Sequence, residues 1–186
     1  MTQIIPSDTF EAVLLISSDI YEDNRGNFCE LYHEETFRKL GIDAPFVQDN
    51  LSVSKKGTLR GLHFQKNHPQ AKLIFPISGS IYDVMVDIRK ESPTFGKYEG
   101  YILESGKGVF VPKGFAHGFL ALSDDTKVMY KCDTYYDPHD EGGIIWEDRE
   151  LSIDWKGIMD SYYIKEIILS EKDRKLQNFN HYRNTI

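Results

Sequence analysis

Apolar residues along this chain fall into short runs, alternating or continuous, separated by turns rich in Gly, Pro, Ser and Asp. A strand presents its side chains to two faces in turn, so a period of two marks a half-buried strand and a continuous apolar run a fully buried one. Strands are expected at 12–16 and 27–32 around the turn Asn24-Arg25-Gly26, with Phe28, Glu30 and Tyr32 sharing one face of the second. Helical spacing emerges at 34–40, where Phe37 and Leu40 share a face and Gly41 is placed to end the helix. Further strands are expected at 46–53, 59–65, 73–77, 80–88, 98–103, 108–111, 118–122 and 128–135.

Many short strands with close turns and little helix predict an all-β antiparallel sandwich or barrel, and a jelly roll fits the spacing. The turns Ser78-Gly79-Ser80 before IYDVMVDI and Pro112-Lys113-Gly114 before FAHGFLAL suit that architecture. From about residue 156 the character changes: Tyr162, Tyr163, Ile164, Ile167, Ile168 and Leu169 are mixed with charges, predicting a partly helical extension over 156–186 packed on the barrel. No internal repeat is visible, and 186 residues suffice for one well-filled core, so residues 1–186 are read as a single jelly-roll domain.

Composition narrows the partners. No apolar run approaches the roughly 20 residues of a membrane span, and MTQIIPSDTF lacks a basic region followed by a hydrophobic stretch, which predicts a cytoplasmic protein with no membrane partner. A formal charge of −7 opposes a nucleic-acid surface, while a few cations focused in a cleft still suit a small anionic ligand. Cys29 and Cys132 lack a CxxC partner and sit in apolar or aromatic surroundings, predicting buried free thiols.

The densest chemistry lies in TLRGLHFQKNHPQAK, residues 58–72. Strict alternation would place Arg60, Leu62 and Phe64 on one face and Leu59, Gly61, His63 and Gln65 on the other. His63, followed after a Pro-containing turn by Lys72, offers a neutral base and a cation to one cavity, as proton removal beside a carbonyl requires. A lone histidine on a strand is most often structural or solvated, so the rest of the chain has to decide.

Four strings decide it: FVQDNLSVSKKGTLRGLHFQ, VDIRKESPTFG, VPKGFAHGF and ILSEKDR, in this order, within a similarity that spans about residues 8–175. Together they resemble the dTDP-4-dehydrorhamnose 3,5-epimerases, cupin-fold enzymes of activated deoxysugar synthesis. The resemblance implies inversion of C3 and C5 on either side of a C4 ketone in a nucleotide-linked 6-deoxyhexose. Such a reaction needs two acid/base groups and a stabiliser for the enolate oxygen, and no redox cofactor.

By the same resemblance His63 matches the general base and Asp173, in LSEKD, its carboxylate partner. Lys72 matches the lysine near the C4 oxygen, and Tyr130, in VMYK, the proton donor of the opposite face. Taken alone, Asp173 reads as a solvated tail residue, Lys72 as a surface charge and Tyr130 as strand packing. His117, in AHGF, corresponds to a second site histidine, with a structural role behind the base as its other reading. Arg25, Glu30, Gln48, Asp49, Asn50, Arg60, Glu141 and Lys172 match nucleotide-sugar contacts, with Arg25 and Arg60 as diphosphate partners. Phe28 and Tyr136 are candidates to stack on the base, Phe28 also as core. The chain reads DNRG where DERG is common in the family, which bears on how Arg25 is oriented.

Two rival readings compete with this one. A metal cupin would show HxH, a nearby carboxylate and a later histidine; here the motif is His63-Phe64-Gln65, Lys72 stands where a ligand is expected, and His68, His139 and His181 lie in turn or polar contexts. No metal is expected. A nucleotide-sugar-binding cupin without chemistry would drop the base, the lysine or the tyrosine, and all three are present. Single-centre 3- or 5-epimerases remain alternatives to the double epimerase. The resemblance also implies a homodimer formed by exchange of N-terminal strands, with 12–16 as the participating strand.

Overall fold

The computed structural model describes residues 2–185 and builds two antiparallel sheets facing each other. In chain order the strands are β1 (Gln3–Pro6), β2 (Leu14–Ser17), β3 (Ile20–Asp23), β4 (Gly26–Cys29), β5 (Gln48–Ser54), β6 (Leu59–Gln65), β7 (Lys72–Ser78), β8 (Ser80–Asp87), β9 (Tyr98–Glu104), β10 (Lys107–Val111), β11 (Phe115–Ala121), β12 (Thr126–Cys132) and β13 (Glu141–Gly143). The helices are α1 (Glu34–Lys39), α2 (Trp155–Ser161) and α3 (Phe179–Thr185). One sheet has the order β1-β2-β10-β7-β12-β5, the other β13-β6-β11-β8-β9, and β3-β4 stands apart as a hairpin. Most neighbours are not consecutive in sequence, as the crossing connections of a jelly roll require.

Three apolar clusters follow from the alternation. Ile74, Ile81, Met85, Phe119 and Val128 fill the space between the sheets. Phe37 of α1, Leu73 and Phe75 close the outer face of the six-stranded sheet. A six-residue helix is too short to hold itself, so α1 depends on its wholly buried Phe37 and on local capping. His33 Nδ1 accepts the Thr36 N–H, acidic residues open the helix, and Gly41 at φ +97° turns the chain away, one residue past Leu40.

The outer face of the five-stranded sheet is covered by the chain from Ile144 onward, earlier than the expected 156. Trp155 lies edge-on to Tyr82 with ring centroids 5.5 Å apart, and its indole N–H donates to the Trp146 carbonyl at 2.7 Å. Tyr182 of α3 packs on Phe64 and donates to the Ile88 carbonyl at 3.0 Å. Two short parallel bridges, Thr58 to Ile168 and Ile144 to Gln177, stitch this cover to the sheet margin.

The largest departure from the expected pattern lies in β6. His117 pairs with His63, but Phe119 pairs with Arg60, so two steps on β11 answer three on β6. This β-bulge centres on Gly61, whose φ of +118° suits glycine, and a Cβ there would come within 2.6 Å of Gly118 Cα. The extra residue reverses the alternation. Leu59, Leu62 and Phe64 all join the outer cluster, while Arg60 and His63, expected on opposite faces, both line the cavity between the sheets.

Other boundaries also moved. β2 is paired on both sides, by β1 and β10, so the N-terminal strand at the sheet edge is β1 rather than 12–16. β12 stops at Cys132, short of the expected 135, and just beyond it the Asp133 side chain accepts the Ala71 N–H at 2.8 Å.

Candidate active site

The bulge aims His63 at the cavity, and the C-terminal cover supplies its partner. Asp173 opens a short 3-10 turn, Asp173–Lys175, and its Oδ1 lies 2.7 Å from His63 Nε2, across 110 residues of sequence. The Asp173 N–H is itself held by Ser170 Oγ at 3.0 Å. Burial pushes the Asp173 carboxyl up, but the hydrogen bond and charge of His63, with Ser170 and the Gly61 N–H, outweigh it and hold it below the usual carboxylate range. An ionised carboxylate accepts, so the ring proton sits on Nε2 and the lone pair on Nδ1. The His63 side chain remains 26% exposed, against 5% for Asp173, which leaves the imidazole open to a ligand and its partner dry.

Between the sheets lie two chambers of about 230 and 340 Å³, and His63, Lys72 and Tyr130 line both. His63 belongs to the five-stranded sheet, whereas Lys72 and Tyr130 stand on adjacent strands of the six-stranded sheet. The imidazole and the phenol therefore approach the shared space from opposite walls. Burial, with the neighbouring Cys132 and Glu141, raises the Tyr130 phenol despite the opposing charge of Arg60, so it holds its proton at neutral pH. Burial lowers Lys72, and Cys132, Glu141 and Asp83 partly restore it. A cation held at such a junction is placed to stabilise an oxygen on which negative charge develops.

The inner chamber is completed by Arg60, His117 and apolar side chains such as Phe119. Arg60 donates through Nε to Ser54 Oγ at 3.1 Å and through Nη2 to the Val53 carbonyl at 3.3 Å. His117 is 2.8 Å from Asp83 Oδ2, with both side chains buried. The outer chamber is more polar. Gln48 donates to Asn50 Oδ1 at 3.0 Å and accepts the Tyr136 N–H at 2.9 Å. Glu141 accepts from the Tyr136 hydroxyl at 2.5 Å and from the Lys172 ammonium. Burial opposes ionisation of Glu141, yet Lys172 and Tyr136 hold its carboxyl below the usual range.

Four expected ligand contacts lie outside this cavity. Asp49 sits between Gln48 and Asn50, and strand alternation turns it outward to pair with Lys131 at 2.7 Å. Arg25, Phe28 and Glu30 lie in or just after the β3-β4 hairpin, exposed and away from their own chain's chambers; Arg25 pairs with Asp23. Conversely, Asp83 and Ser170 escaped the sequence reading. The signal for Asp83 was a carboxylate between Ile81 and Met85, two residues of the inward-facing set. Among the described residues no group of three or more His, Cys, Asp or Glu is arranged to hold a metal ion. His139 and His181 are exposed, and His68 lies in a turn whose N–H groups are held by Asp140.

Comparisons with known proteins agree on what this arrangement resembles. The family model described as dTDP-4-dehydrorhamnose 3,5-epimerase matches residues 8–181. The dTDP-4-dehydrorhamnose 3,5-epimerase of Methanothermobacter thermautotrophicus is 46% identical over 168 residues, covering 89% of each chain. The Bacillus anthracis enzyme of the same name, solved with TDP and pyrophosphate, is 44% identical with a TM-score of 0.88, covering 96% of this chain and 100% of that one. The dTDP-6-deoxy-D-glucose-3,5-epimerase of Legionella pneumophila, solved with dTDP-4-keto-L-rhamnose, is 42% identical with a TM-score of 0.88, covering 97% and 94%. With a cupin jelly roll, a His–Asp pair in its cavity and relatives matched along nearly its whole length, the chain belongs to the dTDP-4-dehydrorhamnose 3,5-epimerase family.

Proposed function

We propose that this protein inverts C3 and C5 of dTDP-4-dehydro-6-deoxy-D-glucose, giving dTDP-4-dehydro-L-rhamnose for deoxysugar synthesis. The observation that carries the reading is the pairing of a His63–Asp173 dyad on one sheet with Lys72 and Tyr130 on the other, around one shared space. His63 Nδ1 removes the proton next to the ketone, and Asp173 supports the imidazolium formed. The Lys72 ammonium takes the charge gathering on the C4 oxygen, an interaction stronger in the enolate than in the ketone. Tyr130 returns a proton from the opposite wall. Arg60, Gln48, Asn50, Tyr136, Glu141 and Lys172 hold the nucleotide-sugar, with His117 as a wall of the inner chamber. Every step is acid/base chemistry within these side chains.

We also infer a homodimer of single-domain chains, acting in the cytoplasm. Arg25, Phe28 and Glu30 resemble ligand contacts but sit on a hairpin remote from their own cavity, and Phe28 is 69% exposed. A second copy would bring that hairpin to its neighbour's outer chamber, where Phe28 would complement Tyr136 as a stacking surface. β1, at the sheet edge, is the strand available for exchange. Mixing His63→Asn with Arg25→Ala chains should then restore activity that neither has alone. No recovery after subunit exchange would remove the shared site.

The primary test is proton NMR of the 4-keto sugar nucleotide with chelator-treated protein in deuterated water. Exchange at both carbons with inverted product is expected. Exchange at one carbon would reassign the protein to single-centre chemistry, and none would leave a binding protein.

A further inference from the structure

Asp83 is the buried charge that the proposed mechanism leaves unused. It sits on β8 between Ile81 and Met85, in the inward-facing set, and none of it is exposed. Carrying a carboxylate into such a place costs several kcal/mol unless its oxygens are met. Oδ2 is met by His117 Nε2 at 2.8 Å, whereas Oδ1 is buried without a hydrogen-bond partner. A half-satisfied buried carboxylate calls for a cation.

The chamber in front of it holds three cationic side chains, and two are committed. Arg60 donates to Ser54 and Val53, and Lys172 to Glu141. Lys72 lines the chamber beside His117 and takes no hydrogen-bond or ion-pair partner among the described residues. The unmet anion and the unmet cation thus stand on facing sheets, on either side of His117. We propose that Asp83 is a positioning residue for Lys72: its charge, acting past His117 without a direct ion pair, keeps the Lys72 ammonium protonated and drawn into the cavity, while Oδ2 fixes the tautomer of His117.

Other charges bear on Lys72 and must be separated from Asp83. His63 and Arg60 face it from β6, His117 from β11, and Tyr130 and Cys132 from β12. Glu141 of β13 and Lys172 and Asp173 of the C-terminal cover complete the set, with Tyr101 of β9 opposite Asp83 in the ladder. Burial depresses the Lys72 ammonium, and Asp83 is one of three groups, after Cys132 and Glu141, whose charge counters it. Cys132 is itself pushed up by burial and so is a neutral thiol at pH 7, which leaves the carboxylates as the standing negative charges.

The inference borrows the epimerase reading only for its kinetic arm, so the decisive readout needs no substrate. Nitrogen-15 NMR of lysine-labelled full-length protein follows the Lys72 ammonium against pH, with the signal assigned by Lys72→Met. Asp83→Asn is expected to move that titration to lower pH, because removing an opposite charge disfavours the charged form. His117→Gln, whose amide reaches about as far as the Nε2 it replaces and so keeps a donor for Asp83, leaves it in place. In turnover, the basic limb of kcat shifts down with Asp83→Asn by the same amount, while KM changes little. Lys72 titrating at one pH in wild type and Asp83→Asn overturns the proposal, even if turnover falls. Should Asp83→Asn not fold, the reciprocal measurement applies: carbon-13 NMR of the Asp83 carboxyl should show a higher pKa in Lys72→Met than in wild type, and equal values overturn it. An altered Lys72 titration in a protein without exchange activity would sink the epimerase reading alone.

Discussion

His63 and His117 stand opposite one another in the β6-β11 ladder, and each ring touches its own carboxylate through Nε2, Asp173 at 2.7 Å and Asp83 at 2.8 Å. Access separates them. The His63 side chain is 26% exposed and His117 9%, so equal chemistry is given unequal reach. In the proposed reaction the open ring is the base and the closed one a wall.

His63→Asn should therefore lower proton exchange at both carbons by about 10²–10⁴-fold while dTDP binding, followed by calorimetry, changes little. His117→Asn should lose less exchange than His63→Asn. Equal losses would remove the distinction drawn from exposure.

Tyr130→Phe keeps the ring and deletes the proton. Deuterium wash-in at the carbon first attacked by His63 should persist, while formation of inverted product falls by about 10²-fold or more. If wash-in and inversion fall together, Tyr130 serves to position the sugar instead.

Gly61→Ala should be costly beyond its size. The new Cβ would meet Gly118 Cα at 2.6 Å and the His117 carbonyl at 2.7 Å, at a φ of +118°. Overpacking and backbone strain together suggest about 2–4 kcal/mol of lost stability in urea unfolding. Because the same bulge aims His63, the folded fraction should also turn over more slowly. A variant as stable and active as wild type would show that the bulge tolerates a side chain.

Asp87 sets the acid limb of stability. Burial alone would raise its carboxyl, but Arg89, Ser92 and Thr94 donate to it and lower it to about 2 from an ordinary 3.8. A carboxyl lowered in the folded state stabilises fully above its unfolded value, and that share is lost as pH falls through the folded one. Unfolding free energy should thus drop by about 2 kcal/mol between pH 4 and pH 2 from this group. Asp87→Asn should be less stable at pH 7 and flatter across that window, as urea titrations at several pH values would show.

Period-two alternation located most strands, including β5, β8 and β12, because their two faces meet different surroundings. It failed at β6, where one inserted residue exchanges the faces and no composition cue besides Gly61 announces it. β1 and β3 were missed because short, mostly exposed strands carry little apolar contrast. His63, Lys72 and Tyr130 were legible through resemblance and converge in the cavity. Asp83 was not, since a carboxylate inside an apolar strand has no motif and its meaning depends on His117, 34 residues away. The hairpin residues Arg25, Phe28 and Glu30 show the reverse problem: a matching string gives a role without saying whose cavity it serves.

The dyad joins a strand of the sandwich to a turn of the C-terminal cover made 110 residues later. A nascent barrel can therefore close around its core while its histidine still lacks the partner that steers it. On the proposed mechanism, chemistry begins only once the C-terminal cover has docked. Detaching that cover would cost the histidine its carboxylate and at the same stroke bare the apolar face of Leu59, Leu62 and Phe64, so lost activity and an exposed hydrophobic surface would come together.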